Sequence, residues 1–327
     1  MVAPVLSSIE LSNPLRPALL AAARSRRLER AVSGVGLTRR LVHRFVPGES
    51  ESAVVGAARE ILGSGRFVSV DYLGEDTTDE AQAEAVVTAY LSLLEAYAHL
   101  EASAADGVQP LEVSIKLSAL GQSLPGTGHD VALRNARRIC VAADAAGVWV
   151  NVDAEDHTTT GSTLAIVREL REDHPSVSTV LQAYLHRTEQ DCRDLSGAGS
   201  RIRLCKGAYK EPASVAFQKG AEVDDSYRRC LAVLMEGQGY PMVASHDPAM
   251  ISAALDLAAA NGRTPRDYEF QMLFGIRDEE QLRLVAAGKH VRVYTPYGDQ
   301  WYGYFMRRLA ERPANMLFFL RSLVSRG

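Results

Sequence analysis

Eight short runs of β-branched, aliphatic and aromatic residues alternate along the chain with longer stretches in which apolar residues recur at helical spacing. Short apolar runs are typical of buried strands, and the longer pattern is typical of amphipathic helices. The predicted strands are Arg66–Leu73, Leu111–Leu120, Val148–Asp153, Ser176–Tyr184, Arg201–Tyr209, Pro241–His246, Asp267–Phe274 and Val291–Thr295. The predicted helices between them are Glu80–Glu101, Asp130–Ala146, Thr163–Asp173, Asp225–Met235, Pro248–Ala260 and Glu279–Ala287.

Strands that alternate with helices predict a parallel sheet, because a parallel neighbour requires a long crossover, usually a helix. Eight such units in one chain favour a closed α/β barrel of the (β/α)8, TIM-like type over an open, doubly wound sheet, which remains the alternative fold. Two further helices, Pro14–Ser33 and Glu51–Leu62, precede the first strand. We therefore expect a helical N-terminal arm at 1–65 and a barrel at 66–327.

Composition narrows the class of protein. Lys and Arg number 36 against 40 Asp and Glu, so the basic excess of a nucleic-acid-binding protein is missing and we expect no such partner. The four cysteines have no C-x-x-C spacing, which argues against a zinc ribbon or a dense disulfide framework. The sequence shows neither a secretory leader pattern nor an apolar run long enough to span a bilayer. We expect a cytoplasmic protein.

Polar side chains end most of the predicted strands. In a barrel of this type the active site lies at the carboxyl ends of the strands. Seven of the eight strands end there in a charged or hydrogen-bonding residue, and these residues are Lys116, Asp153, Gln182, Lys206, His246, Gln271 and Tyr294. Because the strand ends would meet at one rim, we expect these side chains to converge.

Lys116 stands among Val113, Ile115 and Leu117. A buried ammonium without a partner is very unfavourable, so the lysine needs a carboxylate, a ligand or water. The alternative is a strand-end lysine whose ammonium reaches solvent.

Three carboxylates and an imidazole follow the third predicted strand: Asp153, Glu155, Asp156 and His157. Carboxylates in a cluster suit hard cations, and histidine suits zinc, so a metal site is one interpretation. These residues lack the spacing of ligands on a helix, however, and at least one acid can cap the helix that begins after Thr158–Thr160. We favour a site without a metal.

The segment Arg201–Lys210 places two arginines on a strand and then Lys206, Gly207 and Ala208 in a tight turn. Small residues allow a ligand to approach the backbone, and the nearby positive charge favours an anion or an electron-rich ring. The alternative is a strand with one arginine face toward solvent. The sequence contains no dinucleotide, phosphate-loop, zinc-protease or serine-hydrolase motif, so a redox cofactor would be held by the barrel mouth.

After the eighth strand, Tyr304, Arg307, Arg308 and Glu311 have the spacing that places them on one face of a helix. Arginine binds carboxylates through two parallel hydrogen bonds, and a neighbouring glutamate can hold the guanidinium in place. This pattern favours a carboxylate-binding site. An exposed helix stabilised by salt bridges is the alternative.

Taken together, these segments resemble the proline dehydrogenases, a family of flavin-dependent (β/α)8 enzymes that begin proline catabolism. The matching segments run in order from Phe67 to the C-terminus, and the single-domain length resembles the monofunctional bacterial form. The segments are Val113–Ser118, Val150–Glu155, Leu181–Tyr184, Arg203–Tyr209, Ala244–Asp247, Phe270–Leu273, Val293–Pro296 and Tyr304–Glu311.

The resemblance implies FAD as cofactor and L-proline as substrate, oxidised to 1-pyrroline-5-carboxylate by hydride transfer from C5 to the flavin N5. It implies catalytic roles for Asp153 and Arg203, with the C-terminal helix closing over the site. The implied substrate contacts are Lys116, Leu273, Tyr294, Tyr304, Arg307, Arg308 and Glu311. The implied cofactor contacts are Ala154, Gln182, Arg203, Lys206, Gly207, Ala208, Ser245, His246 and Gln271.

The resemblance also implies partners. Electrons would pass to a quinone through transient contact at the inner face of a membrane, and the product would pass to a separate pyrroline-5-carboxylate dehydrogenase. Two other functions stay open. One is a Schiff-base lyase or aldolase that uses Lys116 or Lys206. The other is a barrel that binds a small carboxylate without catalysis.

Overall fold

The computed structural model describes residues 42–75, 77–102 and 107–311, with the backbone alone at 307–311. Pro47–Asp299 forms one compact unit, and the described residues on either side of it belong to a second. The predicted helix Pro14–Ser33 lies outside the described residues. The predicted division between an arm at 1–65 and a barrel at 66–327 stays a prediction.

Helices and strands alternate throughout the unit Pro47–Asp299. The strands are β1 (Phe67–Tyr72), β2 (Leu111–Ile115), β3 (Trp149–Val152), β4 (Ser178–Gln182), β5 (Arg201–Cys205), β6 (Tyr240–Ala244), β7 (Glu269–Leu273) and β8 (Val291–Tyr297). The helices are α1 (Glu51–Gly63), α2 (Glu80–Ala98), α3 (Gly128–Ala146), α4 (Thr160–Asp173), α5 (Thr188–Leu195), α6 (Gly220–Glu236), α7 (Pro248–Ala260) and α8 (Asp278–Ala286). A 3-10 turn spans Pro265–Asp267, and α9 (Trp301–Glu311) belongs to the second unit.

The eight strands form a closed parallel barrel in chain order. The last strand closes on the first in continuous register, from Phe67 opposite Arg292 to Tyr72 opposite Tyr297. The (β/α)8 prediction is confirmed, and the open doubly wound sheet is excluded. Closure leaves no free sheet edge and brings all eight carboxyl ends to one rim.

Local sequence signals explain where several helices begin and end. The Asp79 side chain accepts the Gln82 N–H and begins α2, and Asp247 accepts the Ala249 N–H and begins α7, in which proline stands in the first turn. Gly147 ends α3 in the left-handed conformation that glycine adopts without strain. These signals set the ends of the helices between the strands.

Apolar side chains fill the layer between the helices and the outside of the barrel, whereas the inside of the barrel is charged. Val54, Ala58 and Ile61 of α1 pack in the same apolar cluster as Val68 of β1 and Val293 of β8. Inside the barrel, side chains from strands that are not neighbours meet in ion pairs. The deeply buried members of this interior are Glu112, Arg201, Arg203, Glu269 and Arg292. Branched apolar side chains usually fill such a barrel, so the charged interior is a feature of this chain that needs an explanation.

No helix in the described part of the chain has the length and apolar character needed to cross a membrane.

Candidate active site

Lys116 lies at the carboxyl end of β2, buried between two carboxylates. Its Nζ donates to both oxygens of Asp71 on β1 at 2.6 Å and lies 3.7 Å from an oxygen of Asp153, which follows β3. The Tyr294 hydroxyl is 3.4 Å from the same Nζ. The ammonium is therefore fixed at the rim by side chains from three other strands.

Asp153 lies between two cations, Lys116 at the end of β2 and Arg203 on β5. Its Oδ1 accepts from Arg203 at 2.8 Å and from Asn151 at 2.9 Å, and its Oδ2 accepts the Tyr294 hydroxyl at 2.7 Å. A carboxylate with this many donors is held in one orientation. The structure thus brings Lys116, Asp153, Arg203 and Tyr294 together.

The guanidinium of Arg203 crosses the barrel interior with every N–H group engaged. The acceptors come from β1, β2, β7 and the residue after β3, and they are Ser69, Glu112, Ser114, Gln271 and Asp153. The Arg203 guanidinium carbon also lies 5.3 Å from the centre of the Tyr294 ring. The plane and position of this cation are consequently fixed by the scaffold, as a preorganised electrostatic group requires.

Below Arg203, a second layer of ions fills the barrel. Glu112 accepts from Arg201 at 2.7 Å and from Arg203 at 2.8 Å, while Arg292 donates to Glu269 at 2.7 Å. Burial alone would raise the pKa of Glu112, but Arg292, Arg201 and Arg203 together lower it to about 2. Glu112 is therefore a permanent anion that anchors Arg203 from below.

The pKa values at the rim reflect the same competition between burial and ion pairing. Burial lowers the pKa of Lys116, yet the carboxylates of Asp71 and Asp153 outweigh burial and raise it above its ordinary value. Burial raises the pKa of Asp71 to about 6 against the opposing effect of Lys116. Burial, followed by the charge of Asp153, raises the pKa of Tyr294. Lys116 therefore stays cationic and Tyr294 stays a neutral phenol that donates to Asp153.

The predicted cofactor contacts follow one arc of the rim, on the ends of β3 to β7. Gln182 is buried, and its Nε2 donates to the Glu155 carbonyl at 2.7 Å. The Nζ of Lys206 lies 2.6 Å from Asp224 and 2.8 Å from Asp247. The remaining predicted contacts in this arc are Ala154, Gly207, Ala208, Ser245, His246 and Gln271.

Gly207 has a backbone that only glycine adopts easily, with φ of 114°. A Cβ at this position would lie 2.3 Å from the Tyr184 ring. The turn after β5 is therefore pressed against an aromatic side chain, and only glycine fits at this position.

The polar side chains of the acidic segment after β3 contact three different partners. Asp153 binds Arg203, Glu155 accepts the backbone N–H of Ser118 at 3.0 Å, and the His157 ring contacts Glu211. In the described part of the chain, no group of three or more His, Cys, Asp or Glu side chains is arranged to hold a metal ion. The geometry of this segment gives the metal interpretation no support.

Sequence reasoning missed the anions that hold the two central cations. Asp71 fixes Lys116 and Glu112 fixes Arg203, and neither was selected as a site residue. A signal was present, because Ser69 and Asp71 alternate with valine on β1 just as Glu112 and Ser114 alternate with apolar residues on β2. Polar residues at every second position of a buried strand indicate a polar barrel interior.

The predicted substrate contacts fall in both units. Leu273 ends β7 and Tyr294 lies on β8, both half-buried at the rim. Tyr304 lies on α9, where it is buried in the second unit. The predicted helix is confirmed for the backbone of Tyr304–Glu311. The side chains of Arg307, Arg308 and Glu311 lie outside the described residues, so the predicted roles of these residues stay predictions.

Comparison with known families and relatives gives a consistent picture. The family model described as proline dehydrogenase matches residues 55–321. The chain is 40% identical to proline dehydrogenase of Deinococcus radiodurans over 288 residues, which cover 87% of this chain and 90% of the relative. It is 36% identical to proline dehydrogenase 2 of Bacillus subtilis over 283 residues, covering 86% and 90% of the two chains.

Solved structures share the fold. Proline utilization A (PutA) from Bdellovibrio bacteriovorus, inactivated by N-propargylglycine, superposes with a TM-score of 0.77 at 23% identity. The match covers 89% of this chain but 34% of that chain, so the present chain spans about a third of the larger protein.

Proposed function

Because the chain belongs to the proline dehydrogenase family, we propose that its barrel binds FAD and L-proline and oxidises proline to 1-pyrroline-5-carboxylate. The chain is an oxidoreductase that acts on proline in proline catabolism. Beyond this activity, we propose that the cofactor is FAD, and we propose the roles of individual residues and the electron acceptor.

The observation that carries the proposal is the fixed ionic network at the carboxyl rim. Lys116, Asp153, Arg203 and Tyr294 come from β2, the end of β3, β5 and β8, and they meet within hydrogen-bonding or ion-pair distance. An active site at this end of the barrel is the rule for the fold. A rigid arrangement of charge is what orientation of a zwitterionic amino acid requires.

The donor set along the rim fits FAD. The Gln182 amide can both donate and accept, as the edge of a flavin ring requires, and Lys206 supplies a half-buried cation suited to a pyrophosphate. Gly207 is half-buried and Ala208 is exposed, and residues this small let a ligand approach the backbone closely. We therefore assign FAD binding to this arc, with Ala154, Ser245, His246 and Gln271 as further contacts.

When bound, FAD supplies the acceptor for the hydride that leaves C5 of proline. Lys116 places a positive charge beside the substrate position and is prevented from moving by Asp71. Tyr294 presents a ring edge for the five-membered substrate ring, and its hydroxyl is fixed on Asp153. We propose that Arg307 and Arg308 bind the substrate carboxylate and that Glu311 orients them, with Leu273 and Tyr304 packing the ring.

We further propose that the electrons leave to a quinone at a membrane surface and that a separate pyrroline-5-carboxylate dehydrogenase takes the product. The imine product hydrolyses to an aldehyde, which an oxidising enzyme of that class can accept.

Absorption spectroscopy tests the function directly. The purified protein is expected to be yellow, with flavin bands that bleach on anaerobic addition of L-proline and return on addition of a soluble quinone. Borohydride trapping of a covalent adduct on Lys116 or Lys206, in a colourless protein, would instead establish the Schiff-base alternative. A colourless protein that binds proline without reaction would establish the non-catalytic one.

A further inference from the structure

Arg277 is placed where local rules disfavour arginine. It has φ of 55° and ψ of 44°, and it is the only residue other than glycine with positive φ in the described part of the chain. It also stands at the N-cap of α8, where small polar residues are preferred and the helix dipole disfavours a cation. A left-handed backbone is unfavourable for a residue with a Cβ. A backbone outlier of this kind indicates a functional role for the side chain.

The contacts of the Arg277 guanidinium indicate this role. Arg277 Nη1 donates to the backbone carbonyl of His246 at 2.6 Å, and Nη2 lies 4.0 Å from Glu280. The imidazole Nε2 of His246 accepts the backbone N–H of Leu273 at 2.9 Å. The last residue of β7 therefore holds the ring of His246, and Arg277, which follows β7, holds its backbone.

His246 belongs to a short turn of 245–247 that is tied down at several points. Its Ser245 hydroxyl accepts the Asp247 N–H at 3.1 Å. Asp247 caps α7 and binds Lys206 at 2.8 Å. The turn thus carries two of the proposed cofactor contacts and is linked to a third. Arg277 binds the turn at the His246 carbonyl.

We infer that Arg277 is a positioning residue for cofactor binding, which acts by fixing the 245–247 turn in the conformation that FAD requires. This inference rests on the proposed function. The left-handed backbone at 277 is tolerated because it directs the guanidinium to the His246 carbonyl in the turn after the neighbouring strand β6.

Three variants separate the side chain from the backbone. Arg277→Ala removes the guanidinium and keeps the strained backbone, whereas Arg277→Gly removes the guanidinium and relieves the strain. Arg277→Lys keeps a cationic donor. The FAD dissociation constant of the purified holoenzyme is measured by equilibrium dialysis, and the melting temperature by flavin-independent circular dichroism.

We expect Arg277→Ala and Arg277→Gly to raise the FAD dissociation constant about tenfold alike, which is the effect of one charge-assisted hydrogen bond. Arg277→Gly should melt higher than Arg277→Ala. Arg277→Lys should restore most of the affinity. Arg283→Ala is the matched control, because it removes a cation that shares Glu280 from the same helix without contact to His246, and it should leave both readouts unchanged.

An FAD dissociation constant within twofold of wild type in Arg277→Ala and Arg277→Gly would overturn the inference while leaving the proposed function intact. A lower melting temperature without weaker FAD binding would likewise show that Arg277 only stabilises the loop. If the wild-type protein itself binds no FAD, the proposed function fails instead.

Discussion

Glu155 is a carboxylic acid in surroundings that favour its neutral form. It is buried at the rim beside Ser118, whose backbone N–H donates to it at 3.0 Å. Burial raises the pKa of Glu155 to about 7, against the opposing effect of the Ser118 hydrogen bonds. The folded protein therefore binds a proton at this site more tightly than the unfolded chain does.

Replacement of this acid by its amide should change the dependence of stability on pH. Because the folded pKa is raised, the stabilisation from Glu155 is fully present below about pH 4.5 and is lost as pH rises through about 7. We expect Glu155→Gln to flatten the stability profile between about pH 4.5 and 7 and to raise the free energy of unfolding at pH 8 by about 3 kcal/mol. Urea unfolding at several pH values measures this, with the exposed Glu172→Gln as control. A profile that keeps the wild-type slope would contradict the pKa assignment.

The Lys116–Asp71 pair predicts strong coupling between two substitutions. Removing one partner leaves a buried charge unpaired, so Lys116→Met and Asp71→Asn should each destabilise the protein by about 3 to 5 kcal/mol. The double variant should lose far less than the sum, because neither charge then remains. A double-mutant cycle in urea measures the coupling, and additive losses would show that the two side chains do not depend on each other.

For single residues, the sequence predicts a buried charge more readily than it predicts the counter-ion of that charge. Lys116 stands out because an ammonium among apolar residues needs a counter-ion. Its counter-ion Asp71 lies 45 positions earlier. The strand register places Asp71 opposite Ser114, two residues before Lys116, and so brings the two charges within reach. Sequence order alone does not identify which acid the lysine binds.

Among the secondary-structure elements, the second strand is shorter than its apolar run, whereas the eighth extends past its predicted end to Tyr297. Prediction extends the second strand to Leu120, but β2 ends at Ile115. The parallel ladder with β3 stops there, whereas Leu117 and Leu120 continue as buried turn residues. Helix α5 was not predicted at all, because a short helix of mostly polar residues gives little periodicity.

Close packing of Gly207 against the Tyr184 ring, in the turn after β5, makes this position sensitive to substitution. Gly207→Ala adds a Cβ 2.3 Å from the Tyr184 ring at a positive φ, so it should destabilise the protein by about 3 kcal/mol or more and lower the bound flavin. Gly147→Ala is the control, because its φ is also positive but nothing lies near the added atom; it should cost about 1 kcal/mol. Adding Tyr184→Leu should relieve the steric part. Equal losses at 207 and 147 would exclude the steric explanation.

Substitution of either arginine of α9 is expected to weaken substrate binding without loss of bound flavin. Arg307→Met or Arg308→Met should raise KM for proline by orders of magnitude while the flavin content stays near wild type, because the proposed contact is to the substrate carboxylate. Steady-state kinetics and the ratio of flavin to protein absorbance measure both effects. Arg283→Ala, on the exposed face of α8, controls for loss of a positive charge. An unchanged KM would remove the proposed role.

Across the whole molecule, ion pairs connect the rim of the barrel to the layer beneath it. The connected side chains are Asp71, Lys116, Asp153, Arg203, Glu112 and Arg201. The pair of Arg292 and Glu269 joins them through Gln271, which donates to Glu269 and accepts from Arg203, and the eight ions are equal in positive and negative charge. The eight alternating units in the sequence were sufficient to predict the closed barrel. The pairing was beyond prediction, because Glu112 and Arg203 are 91 positions apart and meet only once the barrel closes.

Charge balance, rather than any single ion pair, should therefore control the stability of the barrel. Glu112→Gln leaves the interior with one excess cation and should destabilise the protein by about 3 to 5 kcal/mol. Adding Arg201→Met restores the balance, and the Arg201 Nε has no hydrogen-bond partner to lose. The double variant should recover most of the lost stability in urea unfolding. Proline oxidation should stay impaired, because Arg203 still lacks its lower anchor. A double variant no more stable than Glu112→Gln would show that local hydrogen bonds matter more than net interior charge.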